Sequence, residues 1–359
     1  MNALVKSLQD ADLAWFAAHA DALDRGDGPV DEVVPELARR GLFRIGVPRT
    51  LGGEGGGVAD AFEAIAAVAE RSLTAAFVFW GQRTFIEYLL ATPNEALRRR
   101  WLEPLLAGKI AGATGLSNAM KHLAGIESLQ IGATVAGEHL RLDGRLPWVT
   151  NLRRGGFLVA AAIARSDGGA SIVAFADDLP GVRRSDDLDL LALRGSNTAA
   201  IALTGVDLGP EWLIHADAQS FCPAVRPAFL GMQLGLSVGL ARASLDTARR
   251  RAGAAHAVVL PRVEAAAEQL AEQVHAVRSG LDDGRFVSDA AGLFRLRIGL
   301  ADLVRVAVGL ELDATGGAAY LRERQDGFAR RWLEAAFVPV ITPSRTQLQG
   351  ELERQAAHG

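Results

Sequence analysis

Apolar residues recur at helical spacing through the first hundred positions, in VPELARRGLF and again in GVADAFEAIAAVAERS, where Phe62, Ile65 and Ala69 share a face. Gly and Pro clusters at VPRTLGGEGGG and ATPN stop helices, and Pro93-Asn94 opens a further helix ending near Lys109. From about residue 110 to 207 the period changes. EHLRLDGRLPWV alternates on either side of an Asp-Gly pair, which predicts a hairpin turn there. FLVAAAIA, ASIVAFA and AAIAL follow at strand length, split by RSDGG, DDLPG and LRGSN. Beyond about 217 the chain is helical again, with a stripe at Val263, Ala267, Leu270, Val274 and Val277 that reads as bundle core or subunit interface. Gly316-Gly317 breaks this bundle, and Thr342 or Ser344 can cap a last short helix. The pattern predicts an α+β fold, mostly α: an N-terminal helical domain (1–109), a middle antiparallel β-domain (110–214) and a C-terminal helical bundle (215–359).

Composition narrows the function. A chain of 359 residues, 49% of them hydrophobic, buries a large core and is not generally disordered. With 38 basic against 42 acidic side chains, its net charge of -4 offers no electrostatic footprint for nucleic acid or an anionic membrane. No uninterrupted apolar run reaches the roughly 18 residues of a membrane span. The N-terminus lacks the long apolar core of a signal peptide, and the lone cysteine, Cys222, fits a reducing compartment, so the expected location is the cytoplasm. The seven histidines show no metal-ligand spacing, and GGEGGG lacks the Lys-Ser/Thr of a phosphate loop, so no metal or phosphate-loop site is expected.

One stretch interrupts this regularity. Trp148, Thr150 and Asn151 fall in a short turn directly before the apolar run Phe157 to Ala164, which places them at the rim of the sheet where side chains can face a ligand. The competing reading is a Trp plugging the β-domain core beside a turn-forming Thr.

The order of helices, β-domain and helices, together with particular residues, resembles the acyl-CoA dehydrogenase family over almost the whole chain. LARRGLFRIGVPRTLGGEGGG is similar to its N-terminal signature, PWVTN to its Trp-Ile-Thr/Ser-Asn turn, and LRGSNTAAIALTGVDLGPEWLI to its Arg-Gly-Ser segment. The resemblance implies FAD as cofactor, with FMN possible, and α,β-dehydrogenation of an acyl-CoA or similar thioester. It also implies an electron-transfer partner or flavin reductase and a homodimer or homotetramer built through the C-terminal bundle. Trp148 and Thr150 would line the isoalloxazine. An indole offers a flat apolar wall, and a hydroxyl can donate to the flavin edge where negative charge develops on reduction. Gly316 and Gly317 match the family's Gly-Gly before the final helices, where backbone approaches the cofactor.

Departures from the family carry as much information. ATGLSNAMKHLAGIE at 113–127 stands where a Thr-Glu-Pro loop would hold flavin and acyl-CoA; Ser117 and Asn118 can still donate there, and Lys121 could meet a phosphate. The Arg-Thr-Phe-Gly element that reaches a neighbouring subunit's FAD is not recognisable in RRRAGAAHAVVLPRVEAAAEQ. The usual catalytic Glu of a Tyr-Glu-Gly-Thr motif is replaced: Thr342 occupies the Glu, Pro343 the Gly and Ser344 the Thr, a residue placed beside the cofactor. The family's other base position lies beside an Arg-Pro pair, kept here as Arg226-Pro227, but its neighbours Ala224, Val225, Ala228 and Phe229 include no carboxylate. Arg226 is the remaining candidate near the reacting centre. Loss of a positioned base costs on the order of 10²- to 10⁴-fold in rate. Two alternatives therefore stand beside dehydrogenation: a two-component flavin-dependent monooxygenase of the same superfamily, and a non-catalytic partner subunit of a heteromeric dehydrogenase.

Overall fold

The computed structural model describes residues 10–116, 119, 127–321 and 327–358. Its first layer is helical: α1 (Asp10–Arg25), α2 (Val33–Arg39), α3 (Val58–Ala69), α4 (Leu73–Ala91) and α5 (Glu95–Leu106). The N-termini of α4 and α5 are capped as their sequences suggest. Ser72 Oγ accepts from the Ala75 amide at 3.3 Å, and Asn94 Oδ1 from the Leu97 amide at 3.1 Å. Helix α4 is buried along almost its whole length. It is the central rod on which the other parts pack.

The middle part is one mixed sheet of β1 (Ala111–Thr114), β2 (Ile131–Ala136), β3 (His139–Val149), β4 (Phe157–Arg165), β5 (Ala170–Ala176), β6 (Val182–Asp187), β7 (Ala199–Leu208) and β8 (Leu213–His215). The strand order is β6-β7-β3-β2-β4-β5-β8, with β1 also on β4. The sheet is not wholly antiparallel as expected, because β1 and β2 both run parallel to β4. The expected turn at Asp143-Gly144 is also corrected: β3 runs straight through it. The two-residue turn lies instead at 137–138, where Gly137 takes a φ of 64° between paired Ala136 and His139. Gly144 serves another end. A Cβ there would fall 2.2 Å from the Gln130 carbonyl oxygen, so its lack of a side chain lets the neighbouring strand enter. Strand β6, VRRSDD, has no apolar signature because it is the exposed sheet edge.

The last part holds α6 (Ala218–Arg251), α7 (Leu260–Asp282), α8 (Ala290–Thr315), α9 (Phe328–Phe337) and α10 (Arg345–His358). By length and composition α6 could cross a membrane, but 83% of its apolar window is buried inside the fold, which makes it a core helix. It meets the N-terminal helices without side chains between them. Cβ atoms on Gly235 and Gly239 would lie 2.7 and 2.2 Å from the carbonyl oxygens of Phe62 and Ala66 on α3. The Trp80 indole of α4 donates to the Phe229 carbonyl of α6 at 3.0 Å. The stripe of α7 faces inward as its pattern predicts, with Val263, Leu270, Val274 and Val277 buried; Ala267 sits at its margin and Ala266 is the buried alanine.

Candidate functional site

At the end of β3 the chain turns sharply, and the turn is held from three sides. Asn151 is fully buried with a φ of 67°, a left-handed conformation that asparagine tolerates better than most residues. Its Nδ2 donates to Gln82 Oε1 of α4 and to the Gly112 carbonyl of β1, both at 2.9 Å. Gln82 in turn donates to the carbonyls of Leu105 and Ile110 and accepts from the Gly112 amide. One buried amide pair therefore ties the turn to both the N-terminal helices and the sheet.

This anchoring fixes what precedes it. Trp148 is 64% exposed, so it does not plug the β-domain core. Two residues on, Thr150 is buried and its hydroxyl lies 3.0 Å from that of Thr198, which lies 2.8 Å from the hydroxyl of Ser196. The pairing of Val149 with Ala199 brings Thr150 opposite Thr198, and the Asn151 and Leu152 amides bind the carbonyls of Ser196 and Asn197. A large flat apolar ring left open beside a hydroxyl cluster suits a flat, polar-edged ligand. Ser196 and Thr198 lie inside LRGSNT, whose likeness to the family was visible in the sequence, but nothing there signalled their contact with Thr150.

The segment bearing Thr342 is braced from below. The Gln233 side chain of α6 donates to the Thr342 carbonyl at 3.2 Å and accepts from Arg297 Nε at 2.9 Å, while Arg297 Nη2 donates to the Val338 carbonyl at 2.6 Å. Arg297 is 1% exposed, and burial pushes its guanidinium down to about 10. Neither Gln233 nor Arg297 stood out in the sequence, since a buried polar pair has no periodic signature. Ser344 is the cap that the sequence offered: its hydroxyl accepts from the Gln347 amide at the start of α10, at 3.3 Å. That placement accounts for Ser344 locally.

Arg226 lies on α6 over the Phe294 ring, 5.7 Å from its centroid, with Nε buried and without a hydrogen bond among the described residues. Burial lowers its pKa, and the main charge opposing that shift is the Glu351 carboxylate of α10. Burial alone would raise Glu351, but hydrogen bonds from Arg354 and Gln355 carry it below the usual glutamate range. A carboxylate so held is a poorer base than a free one. Gly316 and Gly317 stand at the end of α8, where Gly316 has a φ of 63° and a Cβ would meet His256 Nε2 at 3.0 Å. Ser117, Asn118 and Lys121 lie outside the described residues. A cavity of about 440 Å³ between α3, α6 and α7, lined by Glu70, Arg242, Leu270 and Arg278, includes none of these candidates.

Comparison with known proteins agrees with this architecture. Residues 2–109 match the acyl-CoA dehydrogenase N-terminal domain. Isovaleryl-CoA dehydrogenase of Pongo abelii is 26% identical over 194 residues, which cover 52% of this chain and 46% of that protein. A probable acyl-CoA dehydrogenase of Bacillus subtilis is 26% identical over 256 residues, covering 68% of this chain and 65% of its own length. The matched stretches thus span less than two thirds of either relative. Among solved structures, a glutaryl-coenzyme A dehydrogenase with glutaryl-CoA superposes with a TM-score of 0.87 at 18% identity, covering 100% of this chain and 96% of that one. A KijD3 whose complex includes FMN gives 0.82 at 21%, covering 99% and 93%. Dibenzothiophene monooxygenase from Paenibacillus sp. A11-2 gives 0.78 at 19%, covering 96% and 94%. At those identities the structures speak for the fold: the chain has the acyl-CoA dehydrogenase fold, and its first part matches that family's N-terminal domain.

Proposed function

We propose that this protein binds a flavin, FAD or FMN, at the Trp148–Thr150 turn and acts as a flavin-dependent oxidoreductase on an acyl thioester or a similar small molecule. The observation that carries this reading is the open Trp148 indole two residues before the Thr150 hydroxyl, at the end of a strand fixed by Asn151. Trp148 supplies a ring wall and Thr150 a polar contact at the ring's edge. When bound, the flavin supplies the hydride- or electron-accepting chemistry that no side chain can.

Within this reading, α,β-dehydrogenation of an acyl-CoA also needs a carboxylate for the α-proton. Thr342 stands at the family's position for it, and a threonine hydroxyl does not accept such a proton near neutral pH. This favours a second reading, a flavin-dependent monooxygenase that takes reduced flavin from a partner reductase and needs no carboxylate base. The fold of dibenzothiophene monooxygenase is compatible with it.

The experiment is a direct comparison. Purified protein loaded with flavin is mixed anaerobically with a panel of acyl-CoAs, and bleaching is followed; in parallel, oxygen uptake is measured with supplied reduced flavin. We expect slow bleaching at best from the unmodified protein. Thr342→Glu should give partial rescue and Thr342→Glu/Pro343→Gly a fuller one, because proline fixes φ near about -65° beside the new acid. Rapid bleaching of the unmodified protein would place a base elsewhere, and failure to bind either flavin would remove the proposal.

A further inference from the structure

We propose that Ser196 and Thr198 form a one-way hydroxyl chain that leaves Thr150 as a hydrogen-bond donor toward bound flavin. The inference rests on the flavin reading above and assigns two positioning residues behind its first contact. The three oxygens are linked at 2.8 Å (Ser196 to Thr198) and 3.0 Å (Thr198 to Thr150), and all three residues are buried: Ser196 completely, Thr198 and Thr150 at 5% and 9% exposure.

Each hydroxyl has one proton to give, so Thr198 can donate to only one neighbour. That leaves three arrangements. If Thr150 donates inward to Thr198 and Thr198 donates on to Ser196, the Ser196 proton has no acceptor among the described residues. If Thr150 and Ser196 both donate to Thr198, the Thr198 proton is the one left over. Either strands a buried donor, which is costlier than leaving it satisfied. In the third arrangement Ser196 donates to Thr198 and Thr198 donates to Thr150. The free proton then belongs to Thr150, the member of the chain nearest the exposed Trp148, and no donor is lost in the interior. Hydrogen bonds in series polarise one another, so the same arrangement strengthens the outward donor.

A donor aimed at the flavin edge where negative charge grows on reduction stabilises the reduced form more than the oxidised one. The chain should therefore show in the midpoint potential as well as in binding. The test titrates the purified protein with FAD and FMN by fluorescence quenching, and records the visible spectrum and midpoint potential of the bound flavin. It is run for the parent, Ser196→Ala, Thr198→Val, Thr198→Ser and Thr150→Val. Ser196→Ala and Thr198→Val should each weaken flavin binding by about fivefold, the equivalent of one neutral hydrogen bond, and make the potential more negative. Thr198→Ser should behave like the parent. Should Thr150→Val alone change affinity and potential while Ser196→Ala and Thr198→Val match the parent, Thr150 acts unaided and the chain has no role. Absence of quenching in the parent itself would instead defeat the flavin reading, before the chain is tested.

Discussion

Trp148 and Asn151 sit three positions apart and do opposite jobs. Trp148 contributes its open face to whatever binds, so Trp148→Ala should weaken flavin binding by about 1–3 kcal/mol, a figure borrowed from aromatic stacking on nucleobases. Because the ring is mostly exposed, folding stability should change by less than about 1 kcal/mol. Thermal melts beside flavin titrations separate the two; a large loss of stability with unchanged affinity would return Trp148 to the core. Asn151 should behave in reverse. Asn151→Gly keeps the left-handed turn but strips a donor from Gln82 Oε1, which keeps the Gly112 amide, and from the buried Gly112 carbonyl, at a cost of about 1–3 kcal/mol in chemical denaturation. Flavin affinity should fall with it only as far as the turn loosens. Both residues were visible in the sequence as a motif, but only the packing of α4 and β1 around Asn151 shows that one of them supports the other.

At the scale of elements, the helices were legible where apolar period and helix breakers agree: Pro93-Asn94 marks the start of α5, and the α7 stripe lies where its spacing puts it. The sheet was legible only in its buried strands. ASIVAFA became β5 residue for residue, whereas VRRSDD is a strand only because β7 supplies its hydrogen bonds. Parallel pairing of β1 and β2 with β4 is a long-range choice that leaves no local mark. The joint between α3 and α6 was equally silent, since Gly235 and Gly239 in a helical run read as weak points. Their function is contact: the methyl of Gly239→Ala would meet the Ala66 carbonyl oxygen, a backbone atom that can yield only if α3 moves. We expect Gly239→Ala to cost about 1–3 kcal/mol, the usual penalty of overpacking, despite alanine's better helix propensity. Equal or greater stability by urea denaturation would show that the two helices can part without loss.

At the scale of the whole molecule, three parts of the chain converge on Asp24. Its carboxylate closes α1 and accepts from the Leu193 amide at 2.7 Å, one residue before the turn that contains Ser196. From α9 it faces Glu334 and Arg330, and from its own helix Asp21. Arg330 bridges Asp21 and Glu334 at 2.8 Å each, so this corner ties the first helix, the β-domain turn and the C-terminal part together. Burial is the main reason that the Asp24 carboxyl is pushed up to about 6; Glu334 and Asp21 add to it, while the Leu193 hydrogen bond and Arg330 oppose it. The sign of the linkage follows from the raised value. Between the ordinary aspartate range and pH 6 the folded protein holds this proton and the unfolded chain does not, so the Asp24 contribution to stability declines as pH rises through that window. Asp24→Asn keeps an oxygen to accept from Leu193 and removes the titration. The variant should therefore be more stable than the parent at pH 7 to 8, with the advantage shrinking as pH falls below 6. Urea denaturation of both proteins across pH 4.5 to 8 checks this, and parallel profiles would mean that Asp24 is ionised in the folded state throughout, its charge balanced by Arg330.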